Sequence, residues 1–377
     1  MKINREKKYC FIVDSPLQGF NAVNFVFFHR ESGNQYDLYV KEFYNGMQNI
    51  GSRIEKSGVF DNVYVFDDSS IRFNLLKRRE AILLPKTAIN KMIPNTEGFQ
   101  LSDYDGIYIS NTYFFSYLMC RAEKKADLFY IEDGVGSYLE NTSLGKVTFK
   151  RKVIEFVFGG ARKKPPKVLY VNNVEYCKSH MAEKIDYLIP ERTDDLKYDK
   201  MIRKIFPCEN EEIYRQKKLL YLTQPNDNKC PDYESINDIV IKELLNYQEN
   251  LLIRKHPRDE DDRQGENVVR SGLWELICKD TITNDHVLIG AFSTAQLVPK
   301  LYYDKEPWLI FTINMYSNFC KSDAKKGIDC FIKKMKTIYS NPEKVLVVNK
   351  PEEFKAALVQ AGRTCLIMDD NCKGKLV

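Results

Sequence analysis

The stretch Tyr9-Cys10-Phe11-Ile12-Val13-Asp14-Ser15-Pro16-Leu17-Gln18 changes period at its centre. Its first five residues are continuously apolar or aromatic, as in a strand covered on both faces of a parallel sheet. Asp14 or Ser15 then supplies a helix cap, and Pro16 suits the first helical position. Behind them Phe20, Val23 and Phe27 recur at helical spacing.

Outward from this unit the same pairing repeats. Strands are expected at Tyr36–Val40, Val63–Phe66, Gly106–Ile109 and Leu128–Ile131, with helices at Met47–Lys56 and Tyr113–Ala122. Ile71–Met92 reads as a helix with an excursion. A second series begins with strands at Leu219–Leu222, Leu251–Ile253, Val287–Ile289, Trp308–Phe311 and Val345–Val348. Helices are expected at Ile236–Leu245, Ser293–Leu301 and Pro351–Ala361. Alternating strands and helices imply mostly parallel sheets with right-handed crossovers. The 377 residues suffice for two such domains. The expected class is α/β, with two Rossmann-like doubly wound domains facing a central cleft. The expected division is 1–175, a connection over 176–216, 217–349, and a C-terminal helix and tail over 350–377. The section from about Gly136 to Gln216, which holds the basic cluster, Gly159-Gly160 and Pro165-Pro166, is expected to contain that connection.

Composition narrows the function. A formal net charge of +5 is too mild to argue for nucleic acid. The ten cysteines form no C-x-x-C pair and no zinc spacing, so a reducing cytoplasm with free thiols is expected. No apolar run approaches the roughly 18–20 residues that cross a bilayer, and the basic start is followed by too short an apolar run for a signal peptide. The basic clusters Lys150-Arg151-Lys152 and Arg162-Lys163-Lys164 flank an apolar stretch. They suit either a solvated interdomain loop or peripheral contact with the inner face of an anionic membrane. There is no G-x-G-x-x-G and no P-loop. Asp103-Tyr104-Asp105 precedes its strand, which makes it a turn rather than a metal-binding D-x-D.

The polar strand ends are the candidate chemistry, because ligands of open α/β sheets sit beyond the carboxyl ends of strands. Asp14-Ser15-Pro16-Leu17-Gln18 offers Ser15 and Gln18 to sugar hydroxyls, or is a capped helix start. Glu132-Asp133-Gly134 offers two carboxylates as proton acceptors, with Gly134 permitting an unusual turn, or is a turn aspartate. Thr223-Gln224 opens the second crossover, where a nucleotide or a plain turn fits. His256, fixed by Pro257 and next to Lys255, can bind phosphate or pass a proton. Gly290 leads to Ser293-Thr294, whose hydroxyls and helix N-terminus favour an anion; an ordinary N-cap is the simpler reading.

In order and placement, Ser15-Pro16-Leu17-Gln18, Glu132-Asp133-Gly134, His256-Pro257 and Ser293-Thr294 resemble motifs of the bacterial lipooligosaccharide sialyltransferases (glycosyltransferase family 52) and the related polysialyltransferases. The resemblance implies a GT-B architecture, CMP-sialic acid as donor, a glycan acceptor of the cell surface or capsule, inversion, no cofactor and no obligatory metal. By the same carry-over Asp133, or its neighbour Glu132, is the base. His256 meets the leaving phosphate or protonates it, and Ser293 and Thr294 hold it; Pro257, Lys255, Thr223, Gln224 and Gly290 are expected to contact the donor as well. Ser15, Gln18 and Gly134 lie on the acceptor side. Other readings remain: a GT-B transferase using UDP-hexose, a CDP-alditol phosphate polymerase, or a non-catalytic glycan- or nucleotide-binding protein. Homodimerisation is left open, with Ile71–Met92 as the segment a partner would cover.

Overall fold

A computed structural model describes residues 6–42, 46–93, 100–111, 113–138, 166–177, 182–189, 195–224, 231–256, 267–270, 272–316 and 323–365. The chain divides after Pro207 into two units. Among the described residues the first holds seven strands: β1 (Lys8–Val13), β2 (Gln35–Lys41), β3 (Asn62–Phe66), β4 (Gly106–Ile109), β5 (Asp127–Ile131), β6 (Val168–Val171) and β7 (Lys184–Tyr187). They form one sheet in the order β3-β2-β1-β4-β5-β6-β7, parallel throughout. The order reverses direction between β1 and β4.

Among the described residues, helices α1 (Pro16–His29), α2 (Met47–Ser57), α3 (Ser69–Arg72), α4 (Leu75–Leu83), α5 (Pro85–Met92), α6 (Phe114–Ala122) and α7 (Leu196–Ile205) accompany this sheet. Ser15 starts α1 in extended backbone (φ −140°, ψ 158°), its side chain accepting the Gln18 N–H, with Pro16 at the first position. Phe11, Leu38 and Ile107 are buried in mid-sheet, which explains why their strands read as apolar runs rather than alternations. The section expected to be a connection instead supplies β7 and α7, so the first unit runs to Pro207 rather than to residue 175.

The second unit holds β8 (Leu219–Leu222), β9 (Leu251–Arg254), β10 (Val268–Val269), β11 (Val287–Gly290), β12 (Trp308–Phe311) and β13 (Val345–Val347). Their order is β10-β9-β8-β11-β12-β13, again all parallel, with the reversal between β8 and β11. Its helices are α8 (Glu212–Gln216), α9 (Tyr233–Leu244), α10 (Trp274–Asp280), α11 (Thr294–Tyr303), α12 (Asp323–Ile338) and α13 (Pro351–Cys365). Val240 and Leu244 of α9 share one core with Leu219, Leu251, Val287 and Trp308 of the strands. Phe354, Leu358 and Ala361 of α13 enter the same core. The last helix is thus built into this unit rather than appended as a tail. Gly290 closes β11 because a Cβ there would lie 3.0 Å from the Leu222 carbonyl oxygen and 3.1 Å from Gln296 Oε1.

His286, fully buried ahead of β11, is committed on both ring nitrogens. Nδ1 accepts the Thr283 N–H at 3.0 Å, and Nε2 donates to the Tyr214 carbonyl at 2.8 Å. Nε2 therefore carries the proton of a neutral ring. Burial pushes the pKa down to about 4, whereas an unfolded histidine titrates near ~6.5. Between these values the unfolded chain binds a proton that the folded chain refuses. Stability is therefore complete above about pH 6.5 and falls as pH drops toward 4, by roughly 3 kcal/mol. Urea midpoints of His286→Gln should vary less across this window than those of the unaltered protein; parallel curves would refute the assignment.

Candidate functional site

The first unit gathers its polar side chains at the carboxyl edge of the sheet, where the strand order reverses. Asp14 leaves β1 and Asn111 follows β4; Asn111 Nδ2 donates to both Asp14 carboxylate oxygens at 3.2 and 3.1 Å. Burial raises the Asp14 pKa, against the opposing pull of Asn111 and the Lys41 charge. Lys41, at the end of β2, forms a buried ion pair of 2.9 Å with Asp68, just beyond β3.

Gln18 links this edge to the strand end of β5. Its Oε1 accepts the Asp14 N–H at 2.8 Å, which obliges its amide NH2 to point the other way. That group donates to Asp133 Oδ1 at 2.7 Å. Asp133 itself is exposed, and its own N–H donates to Ser137 Oγ at 3.0 Å. Gly134 follows at φ 86°, a left-handed conformation that suits glycine, and opens the 3-10 turn Val135–Tyr138.

Glu132 lies differently from its neighbour. It is fully buried. Its Oε2 accepts Tyr138 OH at 2.7 Å, the Asn172 N–H at 2.8 Å and Asn172 Nδ2 at 3.1 Å. Asn21 of α1 donates to the Glu132 carbonyl at 3.0 Å. The expectation that either carboxylate reaches an acceptor is corrected here: Glu132 ties β5, β6 and the following turn together and faces no solvent. Ser15 is likewise engaged, as the cap of α1.

In the second unit the expected donor residues sit at the carboxyl ends of β8, β9 and β11. Thr223 Oγ1 accepts the His256 N–H at 3.0 Å, so the ends of β8 and β9 hold the half-buried His256 between them. Lys255 is buried, its N–H donating to the Val269 carbonyl at 2.9 Å. Arg254, at the end of β9, lies between the Tyr214 and Trp274 rings at 5.7 and 5.2 Å and donates to Tyr214 OH and the Gly272 carbonyl. It is a packing residue.

Gln224 crosses the reversal point of this sheet. Its Oε1 accepts the Phe292 N–H at 3.2 Å, and its Nε2 donates to the Phe292 carbonyl. Ser293 then caps α11: its side chain accepts from Ala295 N, while its own N–H donates to Gln296 Oε1 at 3.1 Å. This is a reciprocal capping box. Ser293 is thus first of all a cap, and Thr294 occupies the first turn. Pro257 and the basic clusters within 150–164 lie outside the described residues. Sequence reading missed Asn111, Lys41 and Gln296, and it marked Asp68 only as a polar strand end; Gln296 left a signal, three residues after a capping serine. Among the described residues no group of histidine, cysteine and carboxylate side chains is placed to hold a metal ion, and no helix is long and apolar enough to cross a membrane.

The chain superposes on the S. aureus MnaA–UDP complex with a TM-score of 0.51 at 11% identity, over 95% of this chain and 90% of that one. The fold is GT-B. Two further structures fall below a TM-score of 0.5 and carry no weight beside this GT-B match. The UDP-GlcNAc 2-epimerase of Methanocaldococcus jannaschii scores 0.49 at 10% identity, covering 96% and 93% of the chains. CalG4, the calicheamicin glycosyltransferase, scores 0.46 at 9% identity, covering 95% of each.

No family model matches the chain, and no curated protein does. The match above a TM-score of 0.5 is to a UDP complex and neither comparison by family or curated protein supports family 52, so the likeness to family 52 sialyltransferases and polysialyltransferases is overturned. The physical reason is visible in the motifs. Ser15-Pro16 caps α1, Ser293 caps α11 and Glu132 braces a strand end. Such roles recur wherever a parallel sheet must turn into a helix, so their order along the chain does not single out one GT-B family.

Proposed function

We propose that this GT-B protein transfers a glycosyl group from a nucleotide-activated sugar to an acceptor hydroxyl, without an obligatory metal. The observation that carries the reading is Asp133: an exposed carboxylate at a strand end, aimed by an amide that the Asp14 N–H holds in one orientation. In this scheme the acceptor oxygen forms its bond to the anomeric carbon as the bond from that carbon to the phosphate oxygen breaks. The nucleotide leaves with the electron pair, and Asp133 takes the acceptor proton. Gln18 keeps that carboxylate in place. His256 and Thr294, at the carboxyl edge of the second sheet, are assigned to the departing phosphate, where the N-terminus of α11 supplies partial positive charge.

The nucleotide is proposed to be uridine diphosphate, which the matched S. aureus structure contains; CMP-sialic acid is the competing donor. The test is nucleotide release by purified protein in EDTA from UDP-hexoses, UDP-N-acetylhexosamines and CMP-sialic acid, each with and without a panel of oligosaccharide acceptors. Acceptor-dependent release of UDP is expected. His256→Ala should lower kcat/KM by about 10²-fold. Release from CMP-sialic acid alone would reverse the choice of donor. Release that ignores every acceptor, or none from any donor, would sink the transfer reading.

A further inference from the structure

We propose that the first unit docks on an anionic lipid surface through the outer face of α4. This inference is independent of the transfer chemistry. Phe73, Leu75, Leu76 and Leu83 are 78%, 76%, 76% and 72% exposed, an unusual density of apolar side chains in water for one short stretch of chain. At about 100° per residue, Leu83 falls on the same side of the helix as Leu75 and Leu76, away from Ala81. Ala81 is the buried residue of α4.

The face is held firmly. Asn74 Oδ1 caps α4 by accepting the Leu76 and Lys77 N–H groups, each at 3.1 Å. Arg121 of α6 donates its Nε–H to the Ile82 carbonyl at 2.5 Å. The Arg78 guanidinium lies 5.4 Å from the centre of the Phe114 ring. The leucines are therefore displayed by a packed helix.

Charge selects the occupant. Arg72, Lys77, Arg78 and Arg79 accompany these apolar residues, and Glu80 is the anion between Ser69 and Leu84. A two-fold contact with a second copy would bring the same four cations against each other. A leaflet rich in anionic lipid satisfies both features at once. The leucines and Phe73 enter the headgroup–acyl boundary, and the long basic side chains reach sideways to phosphate. Each cation near such a surface adds to the attraction, and salt weakens it.

The experiment is sedimentation of the full-length chain with vesicles of phosphatidylcholine, with or without phosphatidylglycerol. Binding is expected to the anionic vesicles, and to weaken about 10-fold or more in Leu75→Asn/Leu76→Asn and in Lys77→Gln/Arg79→Gln. Unchanged melting curves of both variants would show that the fold survives. Equal binding by either variant and the unaltered protein, or no binding to anionic vesicles, would overturn the proposal. So would a dimer that Leu75→Asn/Leu76→Asn converts to monomer, since the face would then belong to a contact between copies.

Discussion

Replacing Asp133 with Asn is expected to lower turnover by about 10²–10⁴-fold, while the melting temperature and the affinity for nucleotide stay where they are. The geometry separates these effects. Asp133 is exposed, and its Oδ1 accepts a hydrogen bond from Gln18 Nε2 at 2.7 Å. Asparagine keeps an oxygen for that bond and loses the ability to take a proton. The measurement is initial rate under saturating donor and acceptor, beside a thermal melt and a nucleotide titration. A variant that retains more than about a tenth of the rate would remove Asp133 from the chemistry. Lost nucleotide affinity would show instead that the residue supports the fold of the site.

The neighbouring position should behave in the opposite way. Glu132→Ala is expected to destabilise the first unit by roughly 2–5 kcal/mol, because Tyr138 OH, the Asn172 N–H and Asn172 Nδ2 all lose their acceptor in a buried place. That corresponds to a fall of about 5–15 °C in the melting temperature of a unit this size. Glu132→Gln should be far milder, since its carbonyl oxygen can take the position of Oε2. The Asn172 amide protons, followed by hydrogen exchange, give a local readout: faster exchange in the alanine variant and little change in the glutamine one. If alanine melts like the unaltered protein, the buried network does not brace β5 and β6 as the hydrogen bonds indicate.

These paired expectations also show what the sequence could and could not convey. Glu132-Asp133 was legible as a polar strand end, yet two adjacent acidic residues carry no mark of which one turns inward. The choice depends on the pleat of β5 and on Asn172, 40 residues further on. The strands that became β1, β4, β8 and β12 were legible because residues buried on both faces form unbroken apolar runs. β10 was not, being two residues long. Nor was α10, in which Trp274, Glu275, Leu276, Ile277 and Cys278 are all buried and no amphipathic period survives. The α12 stripe of Phe331, Ile332 and Met335 was readable and passed over. The bridge from Asn111 to Asp14 spans 97 positions and appears only once β1 and β4 lie in register. Ser293 shows the converse: the modest reading, a helix cap, describes its hydrogen bonds, and any contact with phosphate would be added to that duty.

The strand order has a consequence for how the protein is made. Tyr9 sits opposite Gly106, and Lys8 opposite Gln35. As the chain is synthesised, β1 can pair with β2 early, but its edge toward β4 stays open until about a hundred residues have followed. Meanwhile α4, with its leucines facing outward, has already been synthesised. Parallel sheets of such long reach close slowly and leave sticky surfaces uncovered as they do so. Expression of the first unit should therefore be more sensitive to translation speed and chaperone supply than that of the second, whose central pair, Leu219 and Val287, is separated by a shorter stretch of chain.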